Sequence, residues 1–163
     1  MKPPTQKLIL ITGSPCVGKT AAADLLFESL ENCAYLDGDW VWRVNPFSIQ
    51  DPHLRNGDKS MSFVLSNYLK SKFDYVIFSS VVVMGDPIRK AILKDITAKH
   101  YTTLAFTLTC SEETLAQRHR QRGDENEVSF HWLRQAPYPG DYVIHTDGKT
   151  PAQVAEEIKE IIR

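Results

Sequence analysis

The sequence predicts an α/β fold, a parallel sheet of five strands covered on both faces by helices in three layers. Two observations carry this. Short unbroken apolar runs alternate with stretches of helical period from one end of the chain to the other, and each run stops at polar or turn-forming residues. Strands buried on both faces read as such runs, and a β-α-β-α order is joined by right-handed crossovers that put helices on either side of the sheet. Ligands of these sheets bind beyond the carboxyl ends of the strands, so the informative residues are expected there.

Leu8-Ile9-Leu10-Ile11 is the first strand and ends in Thr12-Gly13. After Gly18, Ala22, Leu25, Leu26 and Leu30 recur at helical spacing, and Asn32 is the stop signal. Ala34-Tyr35-Leu36 is a short second strand ending at Asp37, and a helix over 59–71 leads to a third strand, Tyr75-Val76-Ile77-Phe78. A helix over 86–99 precedes the fourth strand, Leu104-Ala105-Phe106-Thr107-Leu108. The next helix, 111–122, opens on Ser111 with Glu112 and Glu113, a capping hydroxyl followed by two charges that suit the helix dipole. A short helix near 125–135 and a fifth strand, Tyr142-Val143-Ile144, follow. The last helix starts at Thr150-Pro151-Ala152-Gln153, a capping box with proline at the first helical position, and turns Val154, Ile158, Ile161 and Ile162 inward.

Composition narrows the function. The 163 residues, 42% hydrophobic and 24% charged, fit one domain over 1–163 with a sizeable core and exclude a disordered or disulfide-stapled chain. A net charge of −1 gives no overall field for nucleic acid or an anionic membrane, so neither is expected as a partner and any anion must be bound locally. Cys16, Cys33 and Cys110 form no C-x-x-C pair, and His53, His119, His131 and His145 lack metal-ligand spacing, which disfavours disulfides and zinc. Met1-Lys2-Pro3-Pro4 precedes an apolar run too brief for a signal peptide, and a cytoplasmic location is expected.

Gly13-Ser14-Pro15-Cys16-Val17-Gly18-Lys19-Thr20 matches G-x-x-x-x-G-K-[ST] at every fixed position, between a buried strand and an amphipathic helix. Backbone N–H groups of such a loop converge on phosphate oxygens, and the helix dipole adds positive potential. Lys19 is then the charge on the β- and γ-phosphates and the Thr20 hydroxyl the magnesium ligand, so ATP and Mg²⁺ are the expected cofactors. Cys16 lies in the loop, where amides and Lys19 favour a thiolate, although a small unreactive residue would also fit there.

No N-K-x-D follows a strand, which excludes a GTPase-type switch, and the third strand ends Phe78-Ser79-Ser80 without the usual magnesium-orienting acid. The acids come instead after the second strand, in Leu36-Asp37-Gly38-Asp39-Trp40. A lone D-G-D is commonly a tight turn. Beside the loop, one carboxylate can orient magnesium through water while the other accepts the proton of an attacking hydroxyl; Asp39 is the candidate base and Asp37 the metal-side acid.

With these features, and with Arg118 and Arg122 on a late helix, the chain resembles the P-loop small-molecule kinase group of shikimate, gluconate and adenylylsulfate kinases, with chloramphenicol phosphotransferase nearby. The strings L-D-G-D-W-V-W-R-V-N-P-F and Y-V-I-F also resemble bacterial nucleotide kinases of unassigned acceptor. The resemblance implies the P-loop NTPase α/β/α sandwich with strand order 2-3-1-4-5, ATP on the loop, and a short lid over 118–132. In it Arg118 would lie along the adenine and phosphates, and Arg122 would reach the transferred phosphoryl group. Lys149 and Pro151 would cover the adenine from the other side. The gluconate pattern after D-G-D and the full shikimate-binding set are missing. In their place the 40–58 segment offers Trp40, Trp42, Arg43, Asn45 and Phe47, which suit a planar or hydroxylated acceptor such as a nucleoside, with Trp40 and Arg43 as contacts; equally, the aromatics can pack the segment on the core.

The expectation is an ATP-dependent kinase acting on a hydroxyl or phosphate of a small molecule, as a monomer or homodimer. A nucleic acid 5′-end kinase and a non-catalytic ATP sensor are the alternatives.

Overall fold

Five strands, β1 (Gln6–Gly13), β2 (Cys33–Asp37), β3 (Tyr75–Ser79), β4 (Tyr101–Thr109) and β5 (Tyr142–His145), pair in parallel in the order β2-β3-β1-β4-β5. The helices between and after them are α1 (Lys19–Ser29), α2 (Pro52–Lys70), α3 (Asp86–Lys94), α4 (Glu112–Arg122) and α5 (Pro151–Ile162). The computed structural model describes residues 6–163 apart from Ile49 and Asp124; Met1-Lys2-Pro3-Pro4 lies outside the described residues. Among the described residues, no helix is long and apolar enough to cross a membrane.

The unbroken apolar run of β1 has a direct cause. Ile9 and Ile11 pack with Ala22, Leu26 and Ile158 on the face covered by α1 and α5, whereas Leu8 and Leu10 pack with Met61, Leu65 and Ile92 on the face covered by α2 and α3. All four β1 side chains are 0% exposed, so the central strand has no solvent side on which a polar residue would be tolerated. Ile9→Ala is expected to destabilise the fold by about 2–5 kcal/mol, the cost of lost transfer energy plus a cavity, read as a lower denaturant midpoint with unchanged slope.

Register brings the ends of three strands together. Ile11 pairs with Ser79, and Ser79 with Asp37, so the carboxyl ends of β1, β3 and β2 form one rim, beside the Gly13–Leu108 pairing of β1 with β4. Ser111 and Thr150 cap α4 and α5 as their sequences predict, the latter in a full capping box.

Three segments differ from the sequence expectation. Helix α2 starts at Pro52 rather than 59, because Asp51 accepts the His53 N–H at 2.9 Å and Pro52 takes the first helical turn. The latter part of the 40–58 segment is therefore helical, and Gly38–Trp42 is a 3₁₀ turn. Helix α3 stops at Lys94 instead of 99, and the Thr97 N–H beyond it is taken by Ser66 Oγ at 3.0 Å. The helix expected near 125–135 is absent. Val128, Phe130 and Leu133 pack on the core at spacings of two and three residues, and turns closed by Arg134 N–H to Phe130 O and Gln135 N–H to Trp132 O fill the stretch. Those spacings suit an irregular strap better than a helix.

A buried ion pair ties this strap's exit to α3. Arg89 donates to both oxygens of Asp141, at 3.0 and 2.7 Å, and lies 3.9 Å from the Tyr138 ring centroid. Thr107 Oγ1 donates to the same carboxylate at 2.8 Å. The partners come from distant parts of the chain, and no local pattern marks them.

Candidate functional site

The loop between β1 and α1 is built on two glycines. Gly13 has φ 144° and lies so close to β4 that a Cβ would sit 2.5 Å from Leu108 O. Gly18 caps α1 with φ 104°, and a Cβ there would meet nothing within 4 Å. The first turn of α1 thus faces open space, with N–H groups that have no partner inside the helix. Cys16 also has positive φ, 66°, at the cleft wall.

Lys19 is the first residue of α1 and folds back over the loop, its Nζ donating to Ser14 O at 2.9 Å. Burial lowers its pKa to about 8, although Asp39, Asp37 and Cys16 pull it up. An ammonium held out of water beside an anion-binding loop gains most from a phosphate oxygen. Thr20, one residue on, donates its hydroxyl to Asp37 Oδ2 at 3.0 Å.

Asp37 ends β2 and is buried, with every contact fixed. Its Oδ2 also accepts from the Tyr35 hydroxyl at 3.2 Å, and its Oδ1 accepts the Asp39 N–H at 3.0 Å, capping the 3₁₀ turn. Tyr35 in turn shares a 2.8 Å hydrogen bond with Ser79 Oγ, linking β2 to β3. Asp39, carried by that turn, stands at the cleft rim. Partial burial and the neighbouring Asp37 raise its pKa, against the pull of Lys19 and Arg122. Gly38 between the two acids is required by packing, since a Cβ would sit 2.7 Å from Ser80 Oγ.

These groups line one cleft of about 350 Å³. Lys19, Thr20, Asp37 and Asp39 face it together with Ser80 and Arg122. Arg122, on the last turn of α4, also donates to Cys16 Sγ at 3.6 Å. A second cleft of about 200 Å³ shares Gly18 with the first and is walled by Val17, Arg118, Lys149 and Pro151. Arg118 is fixed there by donating to Val17 O at 3.1 Å, Thr146 Oγ1 at 2.8 Å and Thr146 O at 2.9 Å, while Lys149 pairs with Glu157 at 2.7 Å.

Trp40 and Arg43 stand apart from both clefts. Trp40 is 54% exposed with its ring 5.2 Å from that of Tyr35, and Arg43 is exposed. The 3₁₀ turn brings Asp39 to the cleft while leaving Trp40 and, just beyond it, Arg43 at the surface. Trp42 packs toward α2, where Arg55 lies 5.0 Å over its ring. The sequence reading missed Ser80, Val81 and Ala21 of the main cleft, which carry no motif of their own, and the Tyr35–Ser79 link; the pairing of two polar strand ends was the available signal.

The donor chemistry suits ATP and Mg²⁺. A hydroxyl and a carboxylate oxygen 3.0 Å apart are hard ligands of the number magnesium takes from protein when phosphate and water supply the rest, and the two clefts meeting at Gly18 give a path for a nucleotide across the helix N-terminus.

Known proteins agree with this architecture. No curated protein sequence matches the chain. Among solved structures, the tunicamycin resistance protein of Deinococcus radiodurans superposes with TM-score 0.71 at 21% identity, over 96% of this chain and 95% of that one. The APS kinase of Mycobacterium tuberculosis, in complex with AMPPNP and APS, gives 0.70 at 15% over 98% and 99%. The shikimate kinase of Acinetobacter baumannii, in complex with shikimate, gives 0.60 at 19% over 97% and 93%. The fold is therefore that of the P-loop small-molecule kinase group, with the five-stranded order seen in the sheet. The AAA domain family model matches residues 9–130, most of the chain and the whole of its phosphate loop and acid pair, and the chain belongs to that family.

Proposed function

We propose that this chain is an ATP-dependent kinase that transfers the γ-phosphoryl group to a hydroxyl or phosphate of a small molecule. One observation carries the reading: Lys19, Thr20, Asp37 and Asp39 face a single cleft at the mouth of the phosphate loop, with Thr20 and Asp37 already in contact. The kinases of the same fold bound to shikimate or to AMPPNP and APS support it.

The residues divide the work by their surroundings. Asp37 accepts three hydrogen bonds and is locked in place, which suits orientation of a metal and its water with Thr20. Magnesium, when bound there, neutralises phosphate charge. Asp39 keeps accessible carboxylate oxygens and a raised proton affinity, which suits a base. As the acceptor oxygen bonds to the γ-phosphorus, the bond to the departing ADP oxygen breaks and the acceptor proton passes to Asp39. Lys19 holds the β- and γ-phosphate oxygens with the backbone N–H groups of the phosphate loop, and Arg122 spreads the developing charge. Arg118, Lys149 and Pro151 hold the adenine end, and closure of 118–132 shuts out water.

Incubation with ATP, magnesium and pooled metabolites is expected to give ADP together with a metabolite heavier by one phosphoryl unit. ATP binding with no acceptor-dependent ADP across a broad panel would leave only a nucleotide sensor.

A further inference from the structure

We infer that Tyr35 is a positioning residue, holding the Asp37 carboxylate in the one setting that serves the metal side of the cleft, and that Ser79 acts through it; the inference rests on the kinase reading above, which gives Asp37 that task.

Residues 35 and 37 flank Leu36 on β2 and so share a face of the strand, while Asp37 is paired in register with Ser79 of β3. The Tyr35 hydroxyl thereby reaches both strand ends, 3.2 Å from Asp37 Oδ2 and 2.8 Å from Ser79 Oγ. All three residues are buried, so bulk water does not replace a lost partner. Chemistry sets the direction of the two bonds. A carboxylate only accepts, so the phenol proton goes to Asp37 and the Ser79 proton to the phenol oxygen. The third strand, which ends in no acid, contributes this donor instead.

The available lone pairs show what the phenol does. A carboxylate has about four acceptor sites. Thr20 and Tyr35 fill both sites of Asp37 Oδ2, and the Asp39 N–H fills one of Oδ1. Among the described residues, that leaves a single open site on a carboxylate that lines the cleft. Thr20 and Asp39 line the cleft as well, but Tyr35 does not, so its bond is the one that a ligand entering the cleft leaves undisturbed. The Tyr35 ring packs with those of Phe27 on α1 and Trp40, at centroid distances of 6.2 and 5.2 Å, which limits its swing. A carboxylate set in advance by charge-assisted hydrogen bonds needs no reorganisation when a cation arrives.

The test is calorimetric titration of the full chain with AMPPNP, once in magnesium and once in EDTA; the ratio of the two affinities is the readout. Tyr35→Phe keeps the ring and removes the hydroxyl. It is expected to cut the magnesium enhancement about tenfold while the affinity in EDTA stays within about twofold of the parent. Ser79→Ala should cut the enhancement about threefold. The double variant, which leaves no buried hydroxyl of the pair without a partner, should lose no more than Tyr35→Phe, against the roughly thirtyfold of two independent effects. An unchanged enhancement in Tyr35→Phe, an equal loss of affinity with and without magnesium, as a residue serving only the packing of β2 would give, an additive loss in the double variant, or no enhancement in the parent would overturn the inference. Acceptor-dependent ADP formation with an unchanged enhancement in Tyr35→Phe would remove this inference and leave the kinase reading standing. The expected losses with no ADP from any acceptor would keep Tyr35 as a positioning residue of a nucleotide sensor and remove the kinase reading.

Discussion

Asp39→Asn is expected to lower kcat by about 10²–10⁴-fold, the usual worth of a positioned general base, while ATP affinity stays close to that of the parent. The amide is nearly the same size, and the backbone N–H of residue 39, which Asp37 Oδ1 accepts at 3.0 Å, is untouched by the change. The turn therefore keeps its shape, and what is lost is the ability to take a proton. Steady-state kinetics with calorimetry of ATP binding separate the two effects, and normal turnover in the Asn variant would remove the base assignment. The pH dependence has a defined sign. Asp39 must be ionised to act, so kcat/KM rises with pH through an apparent pKa above the ordinary aspartate value of 3.8. Lys19 must be protonated to hold phosphate, so kcat/KM falls again as pH passes about 8. Bound phosphate favours the ammonium, so the alkaline limb of kcat lies at higher pH than that of kcat/KM.

Lys19→Ala is expected to reduce kcat/KM by about 10³-fold or more, since a full charge in a screened cleft exceeds the ~10²–10³ of a single neutral donor. The fold should not suffer. Lys19 contributes one hydrogen bond to Ser14 O and is destabilised as a cation by its burial, whereas alanine is the best helix former at the start of α1. Near-parental activity, or an unfolding midpoint lower by several degrees, would show that the lysine serves the structure instead. Lys19→Arg should not rescue, because the guanidinium is planar and wider than the ammonium it replaces.

Much of this site was legible in the chain. The loop Gly13–Thr20 is local: its glycines are demanded by backbone angles and one close approach, and Lys19 and Thr20 are fixed by the helix that follows. Asp37 and Asp39 were legible because they directly follow a strand whose end had to lie beside that loop. The 40–58 segment was less so. Its aromatics and Arg43 have a composition suited to a ligand, yet the 3₁₀ turn after Asp37 leaves Trp40 at the surface and α2 claims residues from Pro52 onward. The helix start Asp51-Pro52 is present in the chain, but the sequence reading placed the helix only from 59.

By itself the sequence determined the sheet, because burial on both faces forces unbroken apolar strands, and it determined the phosphate loop, because that chemistry is held within eight consecutive residues, Gly13–Thr20. Tertiary structure alone decided which acid is locked and which is accessible, and where Trp132 and Gln135 come to rest. It also joined Arg89 to Asp141 across 52 positions. Those outcomes depend on register between strands and on a strap anchored at irregular intervals, and neither leaves a periodic trace along the chain.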